Sequence, residues 1–144
     1  MYSFDTHYGG YDLDVKDRTL LLTIRGVVEL ELALRFMLQA KMMITQLPHN
    51  HWASLVDLQD WGLHPPEIVE FMKEFQQWAE DNGQLAEAAV VSDSVLKVLA
   101  REKLCEGVRK TVHQEYFVNK HEAEEWLRIL SLLEDGDHHH PHAV

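Results

Sequence analysis

The chain has little cysteine and a deficit of basic residues, and each shortage excludes a class of protein. Only one of its 144 residues, Cys105, is a cysteine, so a scaffold held together by internal disulfides is excluded. Its 13 Lys and Arg residues are outnumbered by 24 Asp and Glu, which gives a formal net charge of −11. Because binding to phosphate backbones depends mainly on Lys and Arg, we expect no nucleic-acid partner.

Long apolar runs are missing as well. No uninterrupted apolar stretch approaches the roughly 20 residues that cross a bilayer, and the first residues lack the basic and apolar segments of a secretory signal. We therefore expect no membrane span and a reducing, cytoplasmic location. Hydrophobic residues make up 46% of the chain and charged residues 26%, as in ordinary globular proteins. This composition predicts one folded domain over residues 1–135.

The clearest structural pattern lies between residues 52 and 94. A short apolar run at residues 53–57 ends at Asp57, and Pro66 opens an amphipathic helix that closes at Asn82 and Gly83. A second apolar run follows at residues 88–91. Short strands that are apolar on both faces are typical of sheets buried between helices. The pattern predicts one β-α-β unit with parallel strands.

The remaining segments extend this unit on both sides. The first third of the chain predicts three strands joined by tight turns, and in the third strand residues 20, 22 and 24 face opposite to residues 21, 23 and 25. Helices are predicted over residues 29–47, from Ser92 onward, and after Asn119, where Glu122 follows at capping-box spacing. A last strand is expected within residues 111–117. The sequence thus predicts an α/β fold with a mixed, mainly parallel sheet of about five or six strands and four helices.

The first helix has more apolar surface than one sheet would cover. Its predicted core-facing residues are Leu30, Leu34, Met37, Leu38 and Ile44. Apolar residues outside that arc are Leu32, Phe36, Met42 and Met43. One interpretation is packing against both the sheet and a neighbouring helix. The alternative is a homodimer contact or a small hydrophobic pocket, because exposed methionine and aromatic side chains often form adaptable binding surfaces.

Polar residues gather where two predicted strands end. Asp57 and Asp60 follow the fourth strand, and Ser94 follows the fifth. Ligands of open α/β sheets bind beyond the carboxyl ends of strands, so these residues are candidates for an acid-base pair or an anion site. Helix capping and turn formation account for the same residues without a ligand. Trp61, in the predicted loop above this edge, either lines a pocket or plugs it.

Histidines near the same strand do not form a convincing metal site. His49 and His51 precede the strand, whereas Asp57, Asp60 and His64 lie at its far end, several residues away at about 3.3 Å per residue. We therefore predict no metal site and no cofactor. The His-rich residues 138–142 favour metal binding in vitro, but residues 136–144 are predicted to form a disordered tail. A glycine-rich phosphate loop and a G-x-S-x-G elbow are also missing from the sequence.

The pattern WASLVDLQDW…PPEIVEF…WAEDNG…AAVVSDSVLKVLA…EYFVNKHEAEEWL resembles the SpoIIAA-like proteins, relatives of the STAS domain found in anti-sigma factor antagonists. The resemblance spans residues 20–130. It implies a sheet of about five strands with helices mainly on one side, to which this chain adds an N-terminal hairpin strand. The antagonists carry a phosphorylatable Ser after the strand that matches residues 55–57. Residues 57–61 contain no hydroxyl, so no switch residue is carried over.

The sequence therefore predicts a non-catalytic bacterial protein-interaction module of the SpoIIAA-like type. Its partner is another protein or a second copy, and its surface combines the first helix with residues 57–64. The alternative is a protein that binds a small, lipid-like apolar ligand; an enzyme is a third possibility. The candidate interaction or pocket residues are Phe36, Met42, Met43, Asp57, Asp60, Trp61, His64 and Ser94. For the ligand binder, Leu32 would join Phe36, Met42, Met43 and Trp61 in the cavity wall.

Overall fold

The computed structural model of the protein describes residues 1–48, 50–61, 67–96 and 111–134. Its strands are Tyr2–Asp5 (β1), Gly9–Lys16 (β2), Thr19–Gly26 (β3), Trp52–Trp61 (β4), Gln84–Val90 (β5) and His113–Phe117 (β6). Its helices are Leu30–Thr45 (α1), Glu67–Asp81 (α2), a helix described over residues 93–96 (α3) and Lys120–Ile129 (α4). The predicted α/β class is confirmed, and the described ranges contain four helices, the number predicted.

All six strands belong to one sheet, in which their order is the order of the sequence. β1, β2 and β3 are antiparallel neighbours joined by short turns, whereas β3, β4, β5 and β6 are parallel neighbours. Parallel neighbours need a crossover connection, and α1, α2 and α3 lie in sequence between them. The predicted mixed, mainly parallel sheet is confirmed.

Each face of the sheet has its own hydrophobic core. On the side that we call the front face, Leu20, Leu22 and Ile24 of β3 pack with residues of α1 and α2. On the opposite side, the back face, Ala53 and Leu55 of β4 pack with residues of α4 and of the segment after it. The predicted alternation along β3 is confirmed. The resemblance implied helices mainly on one side; among the helices whose packing the structure describes, α1 and α2 lie on the front face and α4 lies on the back face.

Local signals at two helix ends act as the sequence predicts. α2 ends at Asp81, and Gly83 then has a positive φ of 97°. Residues other than glycine rarely adopt this backbone conformation. A Cβ at this position would also collide with the backbone oxygen of Asn50. At the start of α4, the side chain of Asn119 accepts a hydrogen bond from the backbone N–H of Glu122 at 3.2 Å, as an N-cap should.

β4 is longer than the sequence predicts, and this changes the position of several candidate residues. The predicted strand ends at residue 57, but the observed strand continues to Trp61 because β3 offers a pairing partner as far as Gly26. A bulge interrupts the ladder between the pairs formed by Thr23 and Arg25. Residues 57–61 therefore belong to the sheet, and the prediction that they form a loop is wrong.

Several predictions concern residues outside the described ranges. His49, His64, Cys105 and the predicted tail at residues 136–144 all lie there. Within the described ranges, no helix has the length and apolar character required to cross a bilayer.

Candidate functional site

The bulge in β4 places both predicted carboxylates on the back face. Asp57 pairs with Thr23, and Asp60 pairs with Arg25, so all four side chains point to the same side of the sheet. The Asp57 carboxylate accepts a hydrogen bond from the backbone N–H of Gln59 at 3.1 Å, which is the local bonding of a turn or bulge residue. Among the described residues, no group of three or more His, Cys, Asp or Glu side chains is arranged to hold a metal ion.

A charged cluster that the sequence did not reveal lies on the hairpin strands. The Arg25 guanidinium donates to the carboxylates of Asp5 and Asp12, each at 2.7 Å. The hydroxyl of Ser3 donates to the other oxygen of Asp12 at 2.7 Å. The hydrogen bond from Ser3, together with Arg25, lowers the pKa of Asp12 below its ordinary value. The cluster ties β1, β2 and β3 together, and its arginine is engaged away from Asp60.

Ser94 lies at the start of α3, where an anion site was considered. The residue that caps this helix is Ser92, whose hydroxyl accepts a hydrogen bond from the backbone N–H of Val95 at 3.3 Å. The hydroxyls of Ser92 and Ser94 lie 3.3 Å apart, and Ser94 itself is exposed. These contacts fit helix capping, the alternative to an anion site at this segment.

Trp61 ends β4 beside Gly26 and packs, partly buried, against the front core. Its ring is therefore part of the packing between the sheet and α1 and α2. The candidate next to it in sequence, His64, lies outside the described residues. The front-face position of Trp61 fits the interpretation that this side chain fills space rather than lining an opening.

A polar network crosses β4, β5 and β6 on the front face. The hydroxyl of Ser54 donates to one carboxylate oxygen of Glu87 at 3.0 Å, and the amide of Gln114 donates to the other at 3.0 Å. The amide of Gln84 donates to the Ser54 hydroxyl at 2.8 Å. Ser54, Glu87 and Gln114 occupy paired positions on neighbouring strands, so their bonds favour one register of the sheet. This network could not be predicted from the sequence, since its members lie far apart along the chain.

The inward face of α1 differs from the predicted one. Its buried residues are Leu32, Ala33, Phe36, Met37, Ala40 and Ile44. Its exposed large apolar residues are Leu30, Leu34, Leu38 and Met42. Met37 and Ile44 were predicted correctly as core, but Leu30, Leu34 and Leu38 point outward, and Leu32 and Phe36 point inward. The prediction was wrong because α1 has two apolar rows about 200° apart around the helix, and periodicity alone ranks them equally.

Phe36 and Met43 are therefore not part of an exposed patch. Phe36 is 1% exposed, and its ring meets those of Tyr11 and Phe75 at centroid distances of 5.9 and 6.0 Å. Met43 is partly buried and packs against the front core. Of the three candidates on this helix, only Met42 is an exposed side chain.

The exposed large apolar residues of α1 form a row at every fourth position, which we call the outer row: Leu30, Leu34, Leu38 and Met42. Their exposed fractions are 43%, 43%, 64% and 56%. Residues four apart lie above one another on a helix, and this row extends over about 18 Å at 1.5 Å per residue. Scattered apolar side chains are normal on a protein surface, but a contiguous set is typical of an interaction site.

The cations of α1 are held at the sides of the helix. The Arg35 guanidinium lies 4.0 Å from the centre of the Phe4 ring, and the Lys41 ammonium lies 5.3 Å from a ring centre of Trp78. Such contacts attract a cation to an aromatic face. These two side chains turn toward β1 and toward α2, respectively, so neither cation covers the outer row, and the exposed carboxylate beside the row is that of Glu31 at the start of the helix.

The structure thus divides the predicted surface into two parts. The outer row points away from the front face, whereas Asp57 and Asp60 lie on the back face, with the sheet between them. A catalytic pair of carboxylates and a docking helix are therefore not combined in one site. The exposed row could have been found from its four-residue spacing, had both apolar rows of α1 been considered as candidates for the surface.

The architecture is similar to that of a solved protein whose function is not characterised. That protein is a member of the DUF3478 family from Shewanella loihica PV-4, and its crystal structure has a SpoIIAA-like fold. The two superpose with a TM-score of 0.68 over 86% of this chain and 98% of that one, at 10% sequence identity. No family model and no curated protein matches the sequence. The agreement at this identity concerns the backbone, and it shows that the chain is an α/β protein with a SpoIIAA-like fold.

Proposed function

We propose that this protein is a non-catalytic interaction module that binds a protein partner through the outer row of α1. The observation that carries the proposal is the row itself: four large apolar side chains, each 43% or more exposed, aligned on one helix. Apolar side chains in contiguous patches drive association because their burial removes water-exposed area. The inner side of the same helix is already buried in the front core, so the helix is fixed while its outer side is available.

The chemistry of the polar residues also favours binding over catalysis. The carboxylates of Asp5, Asp12 and Glu87 are all engaged in hydrogen bonds or ion pairs with neighbouring strands. Asp57 bonds to its own strand. These contacts stabilise sheet register and turns, and general acid-base catalysis requires instead a carboxyl group aimed at a substrate.

The experiment compares two charge substitutions on exposed apolar positions. The double variant Leu34→Glu/Leu38→Glu places carboxylates in the outer row, and Ile129→Glu places one on α4, where the native side chain is 77% exposed. Partners from a source lysate are captured on immobilised protein that lacks residues 136–144, which avoids metal-dependent binding by the His-rich tail. We expect the double variant to lose the captured protein and Ile129→Glu to keep it. Equal capture by both variants would contradict the proposal.

A small apolar ligand is the second candidate, and the aromatic face of α2 favours it. Phe71, Phe75 and Trp78 face the front core but are only partly buried. Phe75 stacks on Trp78 with ring centroids 6.0 Å apart and meets the Phe36 ring of α1 edge-on. Sites for small ligands are lined mainly by hydrophobic and aromatic side chains, and this face of α2 supplies side chains of that kind.

The two candidates respond differently to the same variants. A ligand that binds the folded state raises the melting temperature by mass action. If saturated and unsaturated fatty acids raise it equally in the wild type and in Leu34→Glu/Leu38→Glu, the ligand-binding function is supported at a site separate from the outer row. If no fatty acid changes the melting temperature, this second candidate is rejected.

A further inference from the structure

We infer that the partner of the outer row is the outer row of a second copy, crossed in the antiparallel direction. This inference rests on the proposed function, because it accepts the outer row as the binding surface and specifies what binds there. The resulting interface is isologous: the same patch of both copies forms it, and a two-fold axis relates them.

Charge is the first argument for a second copy at this position. The chain carries a net charge of −11, so two copies repel each other over most of their surfaces. Residues 29–45 contain two acidic residues, Glu29 and Glu31, and two basic residues, Arg35 and Lys41. The first helix is therefore locally neutral, and the whole net charge lies elsewhere. Two copies that approach each other through α1 therefore add no net charge repulsion between the helices themselves.

The distribution of these charges along the helix favours the antiparallel direction. Both acidic residues lie at the start of α1, and both basic residues follow later. Glu31 and Lys41 are equally far from the midpoint of the outer row. In an antiparallel pair they come to the same level along the helix axis, within the range over which charges interact at physiological salt. A parallel pair would instead place the two acidic starts together.

The shape of the outer row suits a copy of itself. Side chains at every fourth position form a ridge, and the ridges of two helices interlock at a crossing angle of about −50°. Leu30 of one copy then lies near Met42 of the other, and Leu34 lies near Leu38. The aliphatic side chains match in size, and Arg35 and Lys41 are held beside the ridge by Phe4 and Trp78.

The area of the row sets the expected strength. A standard stable interface buries about 800 Å² on each partner, and four partly exposed side chains on one helix supply less. We therefore expect a reversible dimer with a dissociation constant between roughly 1 μM and 1 mM.

Sedimentation velocity measured across a dilution series tests this inference on the full chain. A chelator is present to prevent association through metal ions bound by the His-rich residues. We expect the wild type to shift from monomer to dimer with concentration, and Ile129→Glu to behave the same way. Leu34→Glu/Leu38→Glu and the milder Leu34→Ala/Leu38→Ala should weaken the dimer at least tenfold while keeping the wild-type circular dichroism. A wild type that stays monomeric to about 1 mM, or a dimer that neither double variant weakens, overturns the inference.

Cross-linking tests the direction. In a Cys105→Ser background, the variants Leu30→Cys and Met42→Cys are oxidised separately and as a mixture. The antiparallel pair predicts a cross-linked dimer in the mixture and little in either variant alone, because a disulfide needs Cα atoms within about 7 Å. Efficient cross-linking of Leu30→Cys alone would indicate a parallel pair and overturn the antiparallel arrangement.

Failure of this inference differs from failure of the proposed function. If the wild type is monomeric but still captures another protein through the outer row, the inferred homodimer is rejected and the proposed interaction function is retained. A monomeric wild type that instead binds phosphatidylcholine vesicles through the outer row rejects both the second copy and the protein partner. A dimer that Leu34→Glu/Leu38→Glu abolishes supports both proposals together.

Discussion

Replacing Phe36 by alanine tests which side of α1 holds the domain together. The Phe36 side chain is 1% exposed and contacts the rings of Tyr11 and Phe75. Truncating a buried phenylalanine costs about 3–5 kcal/mol, which combines lost apolar transfer energy with the energy of the cavity left behind. For a domain near this size, each kcal/mol corresponds to about 2–4 °C in melting temperature. We therefore expect Phe36→Ala to lower the melting temperature by roughly 6–20 °C.

The matched control lies two residues away on the opposite side of the helix. Leu34 is 43% exposed, and alanine is the best helix former, so Leu34→Ala should change the free energy of unfolding by less than about 1 kcal/mol. Both variants are measured by urea and thermal denaturation at low protein concentration, which keeps any dimer dissociated. If the two substitutions cost the same, the assignment of inner and outer sides would be refuted, and with it the outer row as a docking surface.

Three further predictions concern the frame of the domain. Thr19→Val removes the buried hydroxyl that donates to the backbone oxygen of Leu132 at 2.7 Å; an unsatisfied buried carbonyl costs about 1–3 kcal/mol, which urea denaturation will detect. Gly83→Ala should destabilise by more than about 1 kcal/mol in the same assay, because it combines a positive φ with a collision at Asn50. The pKa of Asp12 is lowered by folding, so its stabilisation is present above its ordinary pKa near 3.8 and is lost as pH falls through the folded pKa. Asp12→Asn should therefore be less stable than the wild type at neutral pH, and the difference should shrink in denaturation series below that ordinary pKa.

The absence of a hydroxyl in residues 57–61 separates this chain from antagonists that are switched by phosphorylation of a serine at that position. The structure places these residues within β4, where Asp57 and Asp60 face the back of the sheet, whereas α1 packs on the front face and its outer row is exposed. A phosphate-dependent change at that strand would therefore have to act through the sheet to reach the outer row.

Much of the framework could be predicted from the sequence, because the signals that specify it are local. The alternating side chains of β3, the capping residue Asn119 and the glycine at position 83 each act within a few residues of their own position. Three strands with tight turns, followed by alternating helices and strands, are compatible with few sheet orders, since connections are short and do not cross. This is why the mixed sheet and its helices were predicted correctly.

The candidate site could be predicted only in part, because its features depend on contacts between distant segments. The extension of β4 to Trp61 requires the matching length of β3, and the hydrogen bonds of Glu87 join three different strands. Neither can be inferred from spacing along one segment.

Which of the two apolar rows of α1 is buried depends on tertiary packing. Both rows are apolar and repeat every four residues, so the hydrophobic effect, which has no direction, does not rank them. Close packing decides between them: the row that contains Phe36 fits against Tyr11 and Phe75, while Leu34 and Leu38 remain in water. The sequence therefore determined that this helix has apolar surface to spare, and only the packed core decided which side of it is left for a partner.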